Sequence, residues 1–114
     1  MTPLSGLFDD QATEIFATVD DLAERVRKLG AKTVRSIGEI ARLQTIKDND
    51  KDYVAPADML VELMNDNKLV IKRMRVAHEI ADKHEDVATA SILENFIDQA
   101  EKRNWFLFEA SRKA

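Results

Sequence analysis

Val19-Asp20-Asp21-Leu22-Ala23-Glu24-Arg25-Val26-Arg27-Lys28-Leu29-Gly30 reads as the end of a long amphipathic helix. Val19, Ala23, Val26 and Leu29 recur at steps of four and three, which a 3.6-residue period stacks on one side. Gly30 then stops the run, because glycine takes the left-handed conformation that closes a helix C-terminus without a Cβ penalty. Upstream, Leu4, Leu7, Phe8, Ala12, Ile15 and Phe16 carry the same stripe back to the start of the chain. Residues 4–29 are therefore predicted to be one helix.

Downstream, residues 31–55 are too long for an ordinary helix–helix turn. Part of the connection is itself helical in pattern: Ser36 is a capping residue, Glu39 sits three positions on, and Ile37, Ile40, Ala41 and Leu43 are apolar. A second long helix begins near Pro56, whose fixed φ suits a first turn. Its stripe is Leu60, Leu63, Met64, Asn67, Val70, Ile71, Met74, Ala77 and Ala81. After the polar break Asp82-Lys83-His84-Glu85-Asp86, a third begins with Asp86 as N-cap and runs through Leu93, Phe96, Ile97, Ala100, Asn104, Leu107 and Phe108. Long helix, crossover with a short helix, then a tight helical hairpin is the layout of the last three helices of a ferritin-like bundle. The expected fold is all-α: one domain over residues 1–114, with three long helices and a short crossover helix, the first helix of the usual four having no counterpart.

Composition narrows the function classes. Apolar residues make up 45% and charged residues 33%, with three Gly and two Pro, which suits a helix-rich globular domain. No apolar run reaches the ~20 residues that span a bilayer, and the start lacks the basic and apolar regions of a signal peptide. The absence of cysteine excludes disulfides, Cys-ligated zinc and thiol nucleophiles, and suits a reducing cytoplasm. A net charge of −4 gives no basic footprint for DNA.

The first helix holds the residues with the most chemistry. Asp9, Asp20 and Glu24 are separated by eleven and four positions. Eleven steps of ~100° return within roughly 20° of the start, and four more add about 40°, so all three lie along one edge. Asp20 and Glu24 are surface neighbours and can hold a hard cation, or Fe²⁺ with help from imidazoles. The alternative is a plain solvated acidic face, since Asp10, Glu14 and Asp21 form an adjoining row. His78 and His84 fit neither a zinc His-Glu-x-x-His helix nor the Glu-x-x-His pairing of di-iron bundles, and both read as surface histidines. Glu94, Asp98 and Glu101 share a side of the last helix with Lys102 and Arg103 among them, which reads as solvated charge. Trp105-Phe106-Leu107-Phe108 reads as packing within a bundle or between subunits.

The run from Val19 to Gly30 resembles a signature of the Dps family of mini-ferritins: an apolar residue, Asp, any residue, an aliphatic, Ala, then Glu-Arg, ending in Leu-Gly. Thr33 departs from the Pro or Ala usual three residues after the glycine. The resemblance extends, in order, through Leu7-Phe8-Asp9-Asp10-Gln11, Ser36-Ile37-Gly38-Glu39-Ile40, Asp58-Met59-Leu60, Asp86-Val87-Ala88-Thr89-Ala90 and Trp105-Phe106-Leu107-Phe108-Glu109. It implies a subunit of a hollow cytoplasmic dodecamer that oxidises Fe²⁺, stores ferric mineral and protects against oxidative damage.

In that family the ferroxidase site lies between two subunits. One gives two histidines and an acid, and its partner an Asp and a Glu. Residue by residue, the partner's pair falls on Asp20 and Glu24 and the first subunit's acid on Asp9. One family histidine falls on Ser5, and the other belongs to a segment upstream of residue 1. The resemblance therefore implies an impaired oxidoreductase that handles iron weakly. Asp82 and Asp86 match the acidic pores by which iron enters such cages, with a capped, solvated turn as the alternative reading. The family's basic N-terminal arm, often used on DNA, has no counterpart, so DNA binding is not expected. A reading from a different class is a non-catalytic helical module, a truncated or diverged relative that associates as a dimer or larger species through its exposed apolar faces.

Overall fold

A computed structural model describes residues 3–113 and contains four helices: α1 (Pro3–Lys28), α2 (Ile37–Leu43), α3 (Pro56–Lys83) and α4 (Val87–Ser111). Among the described residues there is no strand. The chain divides into two compact units, one up to Asp50 with α1 and α2, the other from Lys51 onward with α3 and α4.

In the first unit, α1 ends in a Schellman motif. Gly30 sits at φ +86°, its N–H donates to Arg27 O (2.9 Å), and the Ala31 N–H donates to Val26 O (3.1 Å). These two bonds satisfy carbonyls that the last turn would otherwise leave open. Arg25, Arg27 and Lys28 lie in that last turn, where cations oppose the negative end of the helix dipole. Ser36 caps α2 as expected, with Oγ accepting from the Glu39 N–H at 3.1 Å. The apolar face predicted for α1 forms, but much of it meets solvent: Ile15, Val19 and Leu22 are exposed and Phe16 is 78% so. Ile37, Ile40 and Leu43 of α2 are exposed as well.

The second unit is an antiparallel helical hairpin. Pro56 occupies the first turn of α3 as its fixed φ allows. Among the described residues, the buried apolar ones, Leu60, Ala81, Ala90, Leu93, Phe96, Ala100 and Leu107, all lie on these two helices. Each buried Leu or Phe contributes roughly 1.5–3 kcal/mol, while the alanines add little area but let the helices approach. Inside this apolar layer Asn67 is buried, its amide Nδ2 donating to Ala100 O at 2.7 Å.

The turn is built from three residues, His84, Glu85 and Asp86. His84 caps α3, and Glu85 takes a left-handed conformation with φ +56°. The Glu85 N–H donates to Asp82 O (3.1 Å) and the Asp86 N–H to Ala81 O (2.8 Å), a Schellman motif without its glycine. Asp86 then caps α4. Its Oδ1 accepts from the Thr89 N–H (3.1 Å) and its Oδ2 from the Thr89 hydroxyl (2.6 Å).

Candidate metal centre

Asp9, Asp20 and Glu24 all project from α1 and are exposed. Asp20 and Glu24 are one turn apart and share a surface, as helical spacing requires. Asp9 lies about 16 Å away along the axis at ~1.5 Å per residue, so it cannot join them around one ion. Among the described residues, no three His, Asp or Glu side chains converge closely enough to hold a metal. The helix thus offers two separate donor groups: a carboxylate pair at one level and a single carboxylate three turns nearer the N-terminus. Oxygen donors of this kind suit a hard or borderline divalent cation. To form a complete coordination shell, each group needs donors from elsewhere. Ser5, one turn before Asp9, is half-buried.

The remaining candidates lie at the turn of the hairpin. Asp82 is exposed. Asp86 is half-buried, with both carboxylate oxygens engaged by Thr89. Of the two histidines, His84 in the turn is exposed and places Nδ1 2.9 Å from Ile80 O. His78 is half-buried and bridges the hairpin, its Nε2 2.7 Å from Glu94 Oε2.

The acidic row on α4 proves more structured than solvated charge. Glu94 meets His78, and Glu101 accepts from Arg75 Nη2 at 3.2 Å, so two of its three acids tie α4 to α3. Arg103 corrects the same reading more sharply, being only 5% exposed. The helical period accounts for it: Arg103 is seven positions after Phe96 and four before Leu107, on the core stripe, where its long aliphatic stem can pack. That register was legible, but the neighbouring charges masked it. The aromatic run also divides. Leu107 is buried, whereas Trp105 and Phe108 are 58% and 51% exposed.

Asp66 on α3 titrates away from the ordinary carboxylate value. Partial burial, and then the charge of Glu62 one turn before it, push its pKa above the usual carboxylate value.

A model of the ferritin-like domain matches residues 1–113. The chain therefore belongs to the ferritin-like family. Within it, the similarity is to DNA-protection-during-starvation proteins. The one from Brevibacillus brevis is 30% identical over 100 residues, covering 88% of this chain and 66% of the relative. A low temperature-induced protein of Nostoc sp. is 27% identical over 105 residues, 91% of this chain and 59% of its own. Solved Dps structures agree. That from Thermosynechococcus elongatus superposes with a TM-score of 0.89 at 28% identity over 96% of this chain and 71% of its own. That from Bacillus brevis gives 0.88 at 27% over 96% and 75%. The chain is a member of the Dps family with an all-α, ferritin-like fold, and it spans about 59% of the length of the Nostoc relative.

Proposed function

We propose that this chain serves in an iron-handling assembly, with Fe²⁺ as the substrate bound by Asp20 and Glu24. The observation that carries the reading is the pair itself: two exposed carboxylates one turn apart on α1, within the Dps signature. Asp9, about 16 Å away by helical rise, completes a site only when a second copy brings its own Asp20 and Glu24 beside it. Oxygen ligands favour both ferrous and ferric ions and leave positions open for an oxidant. Ser5, where the resemblance places a histidine, offers a neutral hydroxyl in place of an imidazole. The expected consequence is weaker Fe²⁺ retention and slower oxidation than in a histidine-bearing relative, with ferric mineral stored inside a homo-oligomer in the cytoplasm. No helix of the described residues is long and apolar enough to cross a membrane.

The test is the growth of ferric absorbance after Fe²⁺ and peroxide are added to the purified protein. Asp20→Asn combined with Glu24→Gln should slow it by about tenfold or more. Equal rates in the wild type and the double variant would defeat the assignment. A second reading, a non-catalytic assembly module, is favoured by the exposed apolar face of α1 around Phe16. It predicts association without any Fe²⁺-dependent absorbance, and a well-folded monomer in sedimentation would count against it.

A further inference from the structure

On one face of the α3–α4 hairpin an open groove of about 490 Å³ runs between the helices, a volume within the range of small-molecule pockets. Met64, Ile71, Trp105 and Phe108 are its apolar lining. Trp105 and Phe108 are more than half exposed, so two aromatic rings are open to stack against a flat ligand. The polar lining is Lys68, Arg75, Glu101 and Asn104. Arg75 and Glu101 answer each other at 3.2 Å and cancel in charge. The other two are unanswered. Lys68 has no carboxylate partner among the described residues, which leaves the groove positive on a chain of net charge −4. Asn104 Oδ1 is buried and accepts no hydrogen bond, and a buried acceptor without a donor is costly. The last torsion of asparagine is broad, so a turn of the amide presents that oxygen to the groove.

The register of the hairpin brings the two unanswered groups together. His78 faces Glu94 across it; ten residues earlier on α3 stands Lys68, and ten residues later on α4 stands Asn104. The helices run antiparallel with the same rise per residue, so Lys68 and Asn104 are level, one on each wall. We propose that the groove binds a small aromatic acid. Its ring system lies on Trp105 and Phe108, and its carboxylate or sulfonate meets the Lys68 ammonium. An N–H or O–H on a neighbouring ring position donates to Asn104 Oδ1. Apolar walls with a few convergent polar groups are the ordinary make-up of such a site. An aliphatic acid lacks the flat face, and a neutral arene leaves the Lys68 charge unanswered, so neither fits as well. This inference stands apart from the iron reading.

The chain has a single tryptophan, Trp105, so indole emission reports on the groove directly. The experiment titrates the full chain with anilinonaphthalene sulfonate, in the isomer that sets the sulfonate and the anilino N–H side by side. The expected result is saturable binding of one dye per chain, with Trp105 emission quenched as the dye emission grows. Lys68→Glu should weaken binding by at least about tenfold, since it sets a like charge against the sulfonate. Lys68→Arg should stay within about twofold of the wild type, because it keeps the charge. Asn104→Leu should weaken binding about fivefold through loss of the acceptor. Phenylnaphthylamine, the same dye without its sulfonate, should bind the wild type at least about tenfold more weakly and show no dependence on salt. Far-UV circular dichroism confirms that the variants keep their helices. Dye emission without quenching of Trp105, which places the dye on another apolar surface, would overturn the proposal. So would the absence of saturable binding, an unchanged affinity in Lys68→Glu or Asn104→Leu, or a neutral dye that binds as tightly.

Discussion

Replacing Asp86 by Ala should open the hairpin at its turn. The residue has two jobs. Its N–H closes α3 on Ala81 O, and its carboxylate closes α4 on the backbone and hydroxyl of Thr89. Alanine keeps the first and loses the second. Loss of an N-cap costs about 1 kcal/mol. The 2.6 Å bond between the Thr89 hydroxyl and Oδ2 is to a charged acceptor, and after allowance for partial exposure its loss adds another ~1 kcal/mol. The total of about 2 kcal/mol corresponds to a fall in Tm of roughly 8 °C for a chain of this length. Urea unfolding followed by circular dichroism should show a lower midpoint with an unchanged slope. Thr89→Ala should cost about 1 kcal/mol, and the double variant less than the sum of the two, since both remove one shared bond. Asp86→Asn keeps a capping oxygen and removes the charge. It should keep the N-cap bond from the Thr89 N–H but lose the charged acceptor of the Thr89 hydroxyl, and so cost about 1 kcal/mol, roughly half the loss expected with alanine. A stability of Asp86→Ala within ~0.3 kcal/mol of the wild type would refute the account of the turn.

Glu85→Gly should stabilise the hairpin by about 0.5–1 kcal/mol in the same unfolding assay, because the left-handed φ of +56° costs a residue with a Cβ and glycine nothing. Asn67→Ala should destabilise by roughly 1–3 kcal/mol, through loss of the buried amide bond to Ala100 O and the space it leaves. Asp66→Asn should raise Tm at neutral pH. The raised pKa of Asp66 means that folding opposes its ionisation, so stability is higher while it is protonated and falls as pH rises through the folded pKa. The gain from asparagine should therefore vanish below about pH 3, where the carboxyl is neutral in both states. With its net charge of −4, the chain should show no salt-sensitive retention of DNA in a mobility-shift assay, and strong binding lost on adding salt would contradict this.

Helix ends were the most legible feature of the sequence. Gly30, Ser36, Pro56 and Asp86 each act through a local hydrogen bond or a fixed dihedral, so their chemistry shows in a window of a few residues. Glu85 was not legible, since nothing about glutamate announces a left-handed residue and only the demand of two abutting helices puts it there. Periodicity found the apolar faces but not what covers them. The faces carrying Phe16 and Trp105 have the same pattern as that carrying Leu60, yet Leu60 is buried and the other two stay exposed. Cover comes from elsewhere in space, which spacing along one chain does not encode. For the same reason, helical spacing places Asp20 beside Glu24 but is silent on the donors that would complete a shell around them. The signature from Val19 to Gly30, rather than carboxylate spacing, is what pointed to iron.

Crystals soaked in Fe²⁺ under anaerobic conditions, with anomalous scattering recorded at the iron edge, test that reading most directly. The account predicts an anomalous peak within coordination distance of the Asp20 and Glu24 carboxylates, shared with Asp9 of a neighbouring copy and lost in Asp20→Asn. Iron found only at other residues, or no ordered iron at any concentration that the crystals tolerate, would contradict it.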